Sequence, residues 1–274
     1  MTLGKTVAGI KSLKIQGSQN IAETAIRAWV KAPDKKVAYK KLYAARPTEP
    51  FLRNVLDYLV KYDDAVALET KLKEDKEKIA KIGAEKIRSS MVVYTHCHSS
   101  SVNRILVRAK MQKKKFRVHV TETRPFFQGR ITAKQLAEQK IPVTLFIDSA
   151  ARIALKKADV MLIGADAITA NGQVINKIGS GLMAKVANEY GVPVYVCTHS
   201  WKFDPKTVFG LEEVIEQRAT DEVWKNPPKD VKISNYVFEK VEPQLITGII
   251  SELGVMKPLA FVAEVEKRNR WMFG

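Results

Sequence analysis

Two residues stand where an acid–base pair would be useful. Cys97 lies in Thr95-His96-Cys97-His98-Ser99-Ser100-Ser101, between a short apolar run and a helical stretch. A helix N-terminus presents free N–H groups and the positive end of its dipole. Both favour thiolate over thiol, so the placement predicts a lowered Cys97 pKa and a role as acid, base or nucleophile. A buried, inert thiol is the commoner fate of a lone cysteine, and position alone does not separate the two. The three following serines suit either a phosphate cradle or an ordinary N-cap. Asp166 follows Gly164-Ala165, small residues that let a ligand approach the backbone. A carboxylate there serves as a base, as an acceptor from a sugar hydroxyl, or as a turn cap. Lys177, in Asn176-Lys177-Ile178-Gly179, is a phosphate ligand or an exposed lysine. A zinc site built from His96, Cys97, His98, His119, Cys197 and His199 lacks the spacing of known sites. No metal is expected. The glycine fingerprint of a dinucleotide site is also missing, so no nicotinamide cofactor is expected.

These residues need elements to hold them. Ile15, Ile21, Ala22, Ala25, Ile26 and Trp29 recur at helical spacing up to Pro33. Further helices are predicted over 35–45, from Thr48 and Glu49 through Leu59, and over 65–88. At Met91 the period changes. Apolar runs at 91–94, 116–120, 143–147, 160–163 and 194–197 alternate with helical stretches at 102–110, 133–138, 150–156 and 182–190. That alternation predicts a mostly parallel sheet with helices on both faces. The fold class is therefore α/β: a helical N-terminal domain over 1–88 and a Rossmann-like domain over 89–274. Asn171-Gly172 predicts a hairpin between Ile168 and Val174. Ligands of open parallel sheets bind beyond the strands' carboxyl ends. Those ends carry Cys97, Thr121 to Pro125, Asp148, Asp166 and His199.

The chain has 274 residues, 46% of them apolar and 27% charged, as in a soluble globular protein. Its 46 basic and 29 acidic residues give a net charge of +17, which favours anionic ligands. The excess is spread along the sequence. No helix-turn-helix, zinc-finger or aromatic RNA-binding motif accompanies it, so nucleic acid is not expected. No run reaches the length of a membrane span. The first 14 residues hold no long apolar run, and there are only two cysteines. A reducing cytoplasm is the expected setting.

Eight segments, taken in order, carry a resemblance. They are Ile15-Gln16-Gly17-Ser18, Ala45-Arg46-Pro47-Thr48, Thr95-His96-Cys97-His98-Ser99, and Thr121-Glu122-Thr123-Arg124-Pro125 with Gln128-Gly129. Asp148-Ser149, Gly164-Ala165-Asp166, Asn176-Lys177-Ile178-Gly179 and Lys202-Phe203 complete the set. The chain resembles the family shared by the alpha, beta and delta regulatory subunits of eukaryotic initiation factor 2B and two sugar-phosphate isomerases. Those enzymes are methylthioribose-1-phosphate isomerase and archaeal ribose-1,5-bisphosphate isomerase. The wording around Cys97 and Arg124 is most similar to the latter.

The resemblance implies a helical domain before a Rossmann-like one, and conversion of ribose 1,5-bisphosphate to ribulose 1,5-bisphosphate without a cofactor. It implies Cys97 and Asp166 as catalytic residues. Gln16, Gly17, Ser18, Arg46, Ser99, Arg124, Asn176, Lys177 and Lys202 would bind the phosphorylated pentose. A homodimer or homohexamer is implied, with 238–255, including Ile246, Ile249 and Ile250, as interface or core. Enzymes of the family usually carry Arg-Gly-Ala where this chain has Gln16-Gly17-Ser18, and a Glu at the position of His199. These departures leave two alternatives: a non-catalytic regulatory subunit that binds a nucleotide or sugar phosphate, and a methylthioribose-1-phosphate isomerase.

Overall fold

The computed structural model describes residues 2–273 apart from 213, 214 and 216. Five helices come first: α1 (Leu3–Lys11), α2 (Ser18–Lys31), α3 (Lys35–Tyr43), α4 (Pro50–Tyr62) and α5 (Ala65–Ala84). The sequence reading did not anticipate α1. Thr2, Asp34 and Asp64 each accept a first-turn amide and so fix the starts of α1, α3 and α5. The apolar stripe of α2 (Ile21, Ala25, Ile26, Trp29) packs on that of α4 (Leu52, Val55, Leu56, Leu59), and all eight side chains are buried. Burial of such a side chain contributes about 1.5–3 kcal/mol. The helix expected over 65–88 ends at Ala84, but Ile87 remains in the core. Gly83 allows α5 its closest approach to the next layer, since a Cβ there would lie 2.3 Å from Ile105 Cδ1.

The alternating part follows as β1 (Val92–His96), α6 (Ser100–Met111), β2 (Arg117–Thr121), α7 (Gln128–Glu138), β3 (Val143–Phe146), α8 (Ala151–Leu155) and β4 (Val160–Ile163). A hairpin of β5 (Ala167–Ile168) and β6 (Val174–Lys177) comes next, as Asn171-Gly172 predicted, with Gly172 at φ +78°. The chain continues through α9 (Ser180–Glu189), β7 (Val194–Cys197), β8 (Phe238–Val241), β9 (Gly248–Ser251), β10 (Gly254–Met256) and α10 (Pro258–Arg268). The main sheet has the order β10-β9-β7-β4-β1-β2-β3. All its pairings are parallel except β10 on β9. Strands β5, β6 and β8 form a separate antiparallel sheet; β8 was not foreseen. Of the two readings of 238–255, the structure selects core: Ile246, Ile249 and Ile250 are buried within this chain.

The order contains a switch point. From β1 the chain winds outward through β2 and β3, then returns to place β4 on the other side of β1. Loops leaving the carboxyl ends of β1 and β4 therefore diverge around a crevice.

The helical region is tied to this end of the sheet through the turn after β7. Asn54 Nδ2 donates to the carbonyls of Trp201 and Phe203, each at 2.8 Å. Arg53 pairs with Asp204 at 2.6 Å, and both are buried. His199 Nε2 lies 3.1 Å from Asp75 on α5, while its Nδ1 accepts the Trp201 amide. Glu252 accepts the Ser200 amide and lies 3.7 Å from His199. These protein partners already engage each group of the Asp75, His199 and Glu252 cluster. Among the described residues, no helix is long and apolar enough to cross a membrane.

Candidate active site

The crevice is roofed by the start of α2. Its lining holds Cys97 and Ser99 after β1, Asp166 after β4, and Asn176 and Lys177 on β6. Gln16, Gly17 and Ser18, Arg46, and Lys202 complete the set that the sequence singled out. All the proposed site residues except Arg124 share this one pocket.

Cys97 is held rather than free. Its φ is +67°, a left-handed conformation that costs a non-glycine residue of order 1–3 kcal/mol. Two hydrogen bonds compensate: its N–H donates to Thr123 Oγ1 at 3.0 Å, and its carbonyl accepts from Thr132 Oγ1 at 2.9 Å. Helix α6 begins only at Ser100, with Ser99 as its N-cap. The thiol is thus off the helix start, and the expected depression of its pKa does not occur. Burial pushes the Cys97 thiol up to about 11, against the opposing pull of the Lys177 ammonium. At neutral pH the residue is a protonated thiol.

Gly164 explains how close the two loops come. A Cβ there would sit 2.8 Å from Ser99 Oγ, so only glycine lets the β4 loop pass the start of α6. Asp166 is fixed by its amide, which donates to the Ile175 carbonyl at 2.8 Å. Lys202 Nζ donates to the Ala165 carbonyl at 2.6 Å, beside Asp166. Asn176 Nδ2 donates to Ser180 Oγ at 2.8 Å, which ties β6 to the start of α9. Lys177 is buried, with Nζ 5.2 Å from the centre of the Phe238 ring. Gln16 Nε2 donates to the Leu13 carbonyl at 2.6 Å, and Gln19 accepts from Ser100 across the two helix starts.

Arg124 is placed elsewhere. Its guanidinium donates to the Val223 carbonyl at 3.1 Å and lies 5.1 Å from the Phe127 ring centre. What fixes the turn there is Asp148, which accepts the amides of Thr123 and Arg124. Arg218 lines the pocket instead, gripped by Glu222 and lying over Phe126. Sequence reasoning missed Arg218 because it sits in a long stretch with neither helical nor strand period. The imidazoles are structural: His96 bridges Thr121 and the Ile178 carbonyl, His98 meets Thr132, and His119 meets the Ala154 carbonyl. Burial pushes the pKa of His96 and His98 down.

The described lining therefore holds four cations (Arg46, Lys177, Lys202 and Arg218) and a single carboxylate, Asp166. Such a pocket favours a small, multiply anionic ligand. Its thiol and carboxylate can exchange protons with that ligand. The sequence model of the initiation factor 2 subunit family matches residues 35–258. The chain belongs to that family.

Members of the initiation factor 2 subunit family differ in what they are named for. The ribose 1,5-bisphosphate isomerase of Pyrococcus furiosus is 37% identical over 287 residues, covering 96% of this chain and 88% of the relative. The methylthioribose-1-phosphate isomerase 1 of Pseudothermotoga lettingae is 33% identical, covering 91% and 85%. Among solved structures, the translation initiation factor eIF-2B of Pyrococcus horikoshii OT3 superposes with a TM-score of 0.85 at 26% identity, covering 95% and 98%.

Proposed function

We propose that the chain is an aldose–ketose isomerase that converts ribose 1,5-bisphosphate to ribulose 1,5-bisphosphate. The observation that carries this reading is the pairing of Cys97 and Asp166 on adjacent strand ends, inside a pocket with one carboxylate and four cations. The similarity to the P. furiosus isomerase supports it.

The substrate's C1 oxygen is esterified, so the ring cannot open by simple loss of an anomeric hydroxyl proton. Three proton movements are needed. The ring oxygen gains a proton as its bond to C1 breaks. The C2 hydroxyl loses one as the carbonyl forms. The hydrogen on C2 moves to C1. We assign the hydroxyl proton to Asp166, the half-buried carboxylate of the lining. The thiol of Cys97 starts protonated and must give a proton before it can take one. It donates as the ring opens, and the thiolate beside Lys177 then carries the C2 proton to C1. Asp166 returns a proton to Cys97 through solvent, which closes the cycle. Arg46, Lys177, Lys202, Arg218 and the α2 and α6 starts hold the two phosphates.

The helical region, 1–88, supplies the pocket's roof through Gln16 to Ser18 and Arg46. Self-association is part of the reading. The edge strand β3 and its surroundings expose Leu145, Ile147 and Ile153, a surface suited to a second copy in a dimer or a larger ring. No membrane or nucleic acid partner is invoked, and the working compartment is the cytoplasm.

The test is turnover of ribose 1,5-bisphosphate by the purified protein, followed by phosphorus NMR. Cys97→Ser and Asp166→Asn should each lower turnover by about 10²–10⁴-fold. A folded protein that binds the bisphosphate but makes no product would instead favour a ligand-binding regulator. One observation points that way: Gln16, uncharged and bonded to Leu13, stands where the resembling enzymes carry Arg. A Gln16→Arg change would then be the first reversion to assay.

A further inference from the structure

Directly behind the lining sits a carboxyl group that the catalytic reading does not use. Glu49 occupies the N-cap of α4, yet its side chain caps no amide. It is only 3% exposed, and its Oε1 has no hydrogen-bond partner. Its Oε2 lies 4.0 Å from Arg46 Nε. The charged groups that face it come from three places: Arg46 before α4, Asp166 after β4, and Lys202 after β7. From α2 the Ser18 hydroxyl approaches without forming a good hydrogen bond. Three of these four neighbours carry charge, and all four line the pocket.

We propose that Glu49 is a positioning residue of the site: a second carboxyl group that stays protonated below neutral pH, where Asp166 supplies the negative charge of the described lining. The proposal rests on the reading of Asp166 as the acceptor of sugar hydroxyl protons. Two neighbouring carboxyls do not both ionise cheaply, and the drier one holds the proton. Glu49 is the drier one, with a bare oxygen away from water. Burial first, and Asp166 second, push its pKa up to about 7, while Arg46, Lys202 and Ser18 pull the other way.

A consequence for ligand binding follows from the charges. As pH rises through 7, Glu49 ionises. The new charge draws on Arg46 and Lys202 and repels an anionic ligand. Affinity for ribose 1,5-bisphosphate should therefore fall severalfold relative to Glu49→Gln between pH 6 and pH 8. Ionisation of the ligand's own phosphates affects both proteins alike and cancels in the ratio.

The experiment is carbon-detected NMR of protein labelled at the glutamate side-chain carboxyl, with calorimetric binding of ribose 1,5-bisphosphate and turnover on the same samples. The Glu49 resonance is the one missing from Glu49→Gln. It should titrate near pH 7, not near the usual value of about 4.3. In Asp166→Asn the midpoint should move down, because a like charge is gone. That shift also marks the resonance if Glu49→Gln does not fold. A midpoint in the ordinary carboxylate range, no movement in Asp166→Asn, or a constant affinity ratio from pH 6 to pH 8 overturns the proposal. Absent turnover with Glu49 titrating near 7 removes the isomerase and leaves the carboxyl pair standing. Turnover with an ordinary Glu49 does the reverse.

Discussion

A thiol pushed up to about 11 reacts slowly at neutral pH, because the thiolate is the nucleophile. Alkylation of Cys97 by iodoacetamide should therefore speed up by about tenfold per pH unit from 7 to 10. Lys177 lowers the thiol pKa, so Lys177→Met should slow the reaction further at each pH. Mass spectrometry of the labelled peptide reads both; a rate that levels off near pH 8 would contradict the burial argument. Glu49 makes a matching prediction for stability. Unfolded, it ionises near 4.5; folded, it holds its proton to about 7. Its contribution is full below the unfolded value and is lost as pH rises through the folded one. Glu49→Gln should thus melt at an increasingly higher temperature than the wild type as pH rises from 4.5 to 7, and calorimetry at several pH values checks it. These values came from surroundings supplied by distant segments, and so neither was legible in the local sequence.

Elements position those residues through a few buried contacts. Gly83 lets α5 lie against Ile105 of α6, so Gly83→Val should destabilise the protein by about 1–3 kcal/mol through overpacking. Asn54 satisfies two carbonyls of the turn that carries Lys202. Asn54→Ala leaves both unpaired in a buried place, at a cost of about 1–3 kcal/mol. If the turn moves, Lys202 moves with it, so KM for the bisphosphate should rise more than kcat falls. Denaturant titration and steady-state kinetics on the two variants check these outcomes. At this scale the sequence was informative. The five apolar runs became β1 to β4 and β7 within two residues at either end, because a parallel strand packed under helices reads as a short, mostly apolar run. Strand β8 escaped notice because its residues, Phe238 to Val241, are half polar and pair with β6 alone.

For the whole molecule, charge and edge matter most. The net charge of +17 and four pocket cations predict that bisphosphate affinity falls as ionic strength rises, with the steepest loss below about 0.15 M salt. Leu145 on the edge strand β3 and Ile147 just after it are exposed, so Leu145→Lys with Ile147→Lys should shift sedimentation toward the monomer while near-native melting is kept. Unchanged sedimentation would place self-association on another face.

By itself the sequence determined the helical start, the alternating sheet, the hairpin at Asn171-Gly172, and a short inventory of polar strand ends. Those features depend on local period and turn chemistry, which neighbouring residues encode. Tertiary structure decided which ends meet. Return of the chain to β4 beside β1 brought Asp166 to Cys97, although 69 positions separate the two in sequence and no local pattern links them. The same packing turned Arg124 toward Val223, admitted Arg218, and set Glu49 behind Asp166. Protonation states followed in turn, because desolvation and neighbouring charge are properties of a folded interior rather than of a residue type.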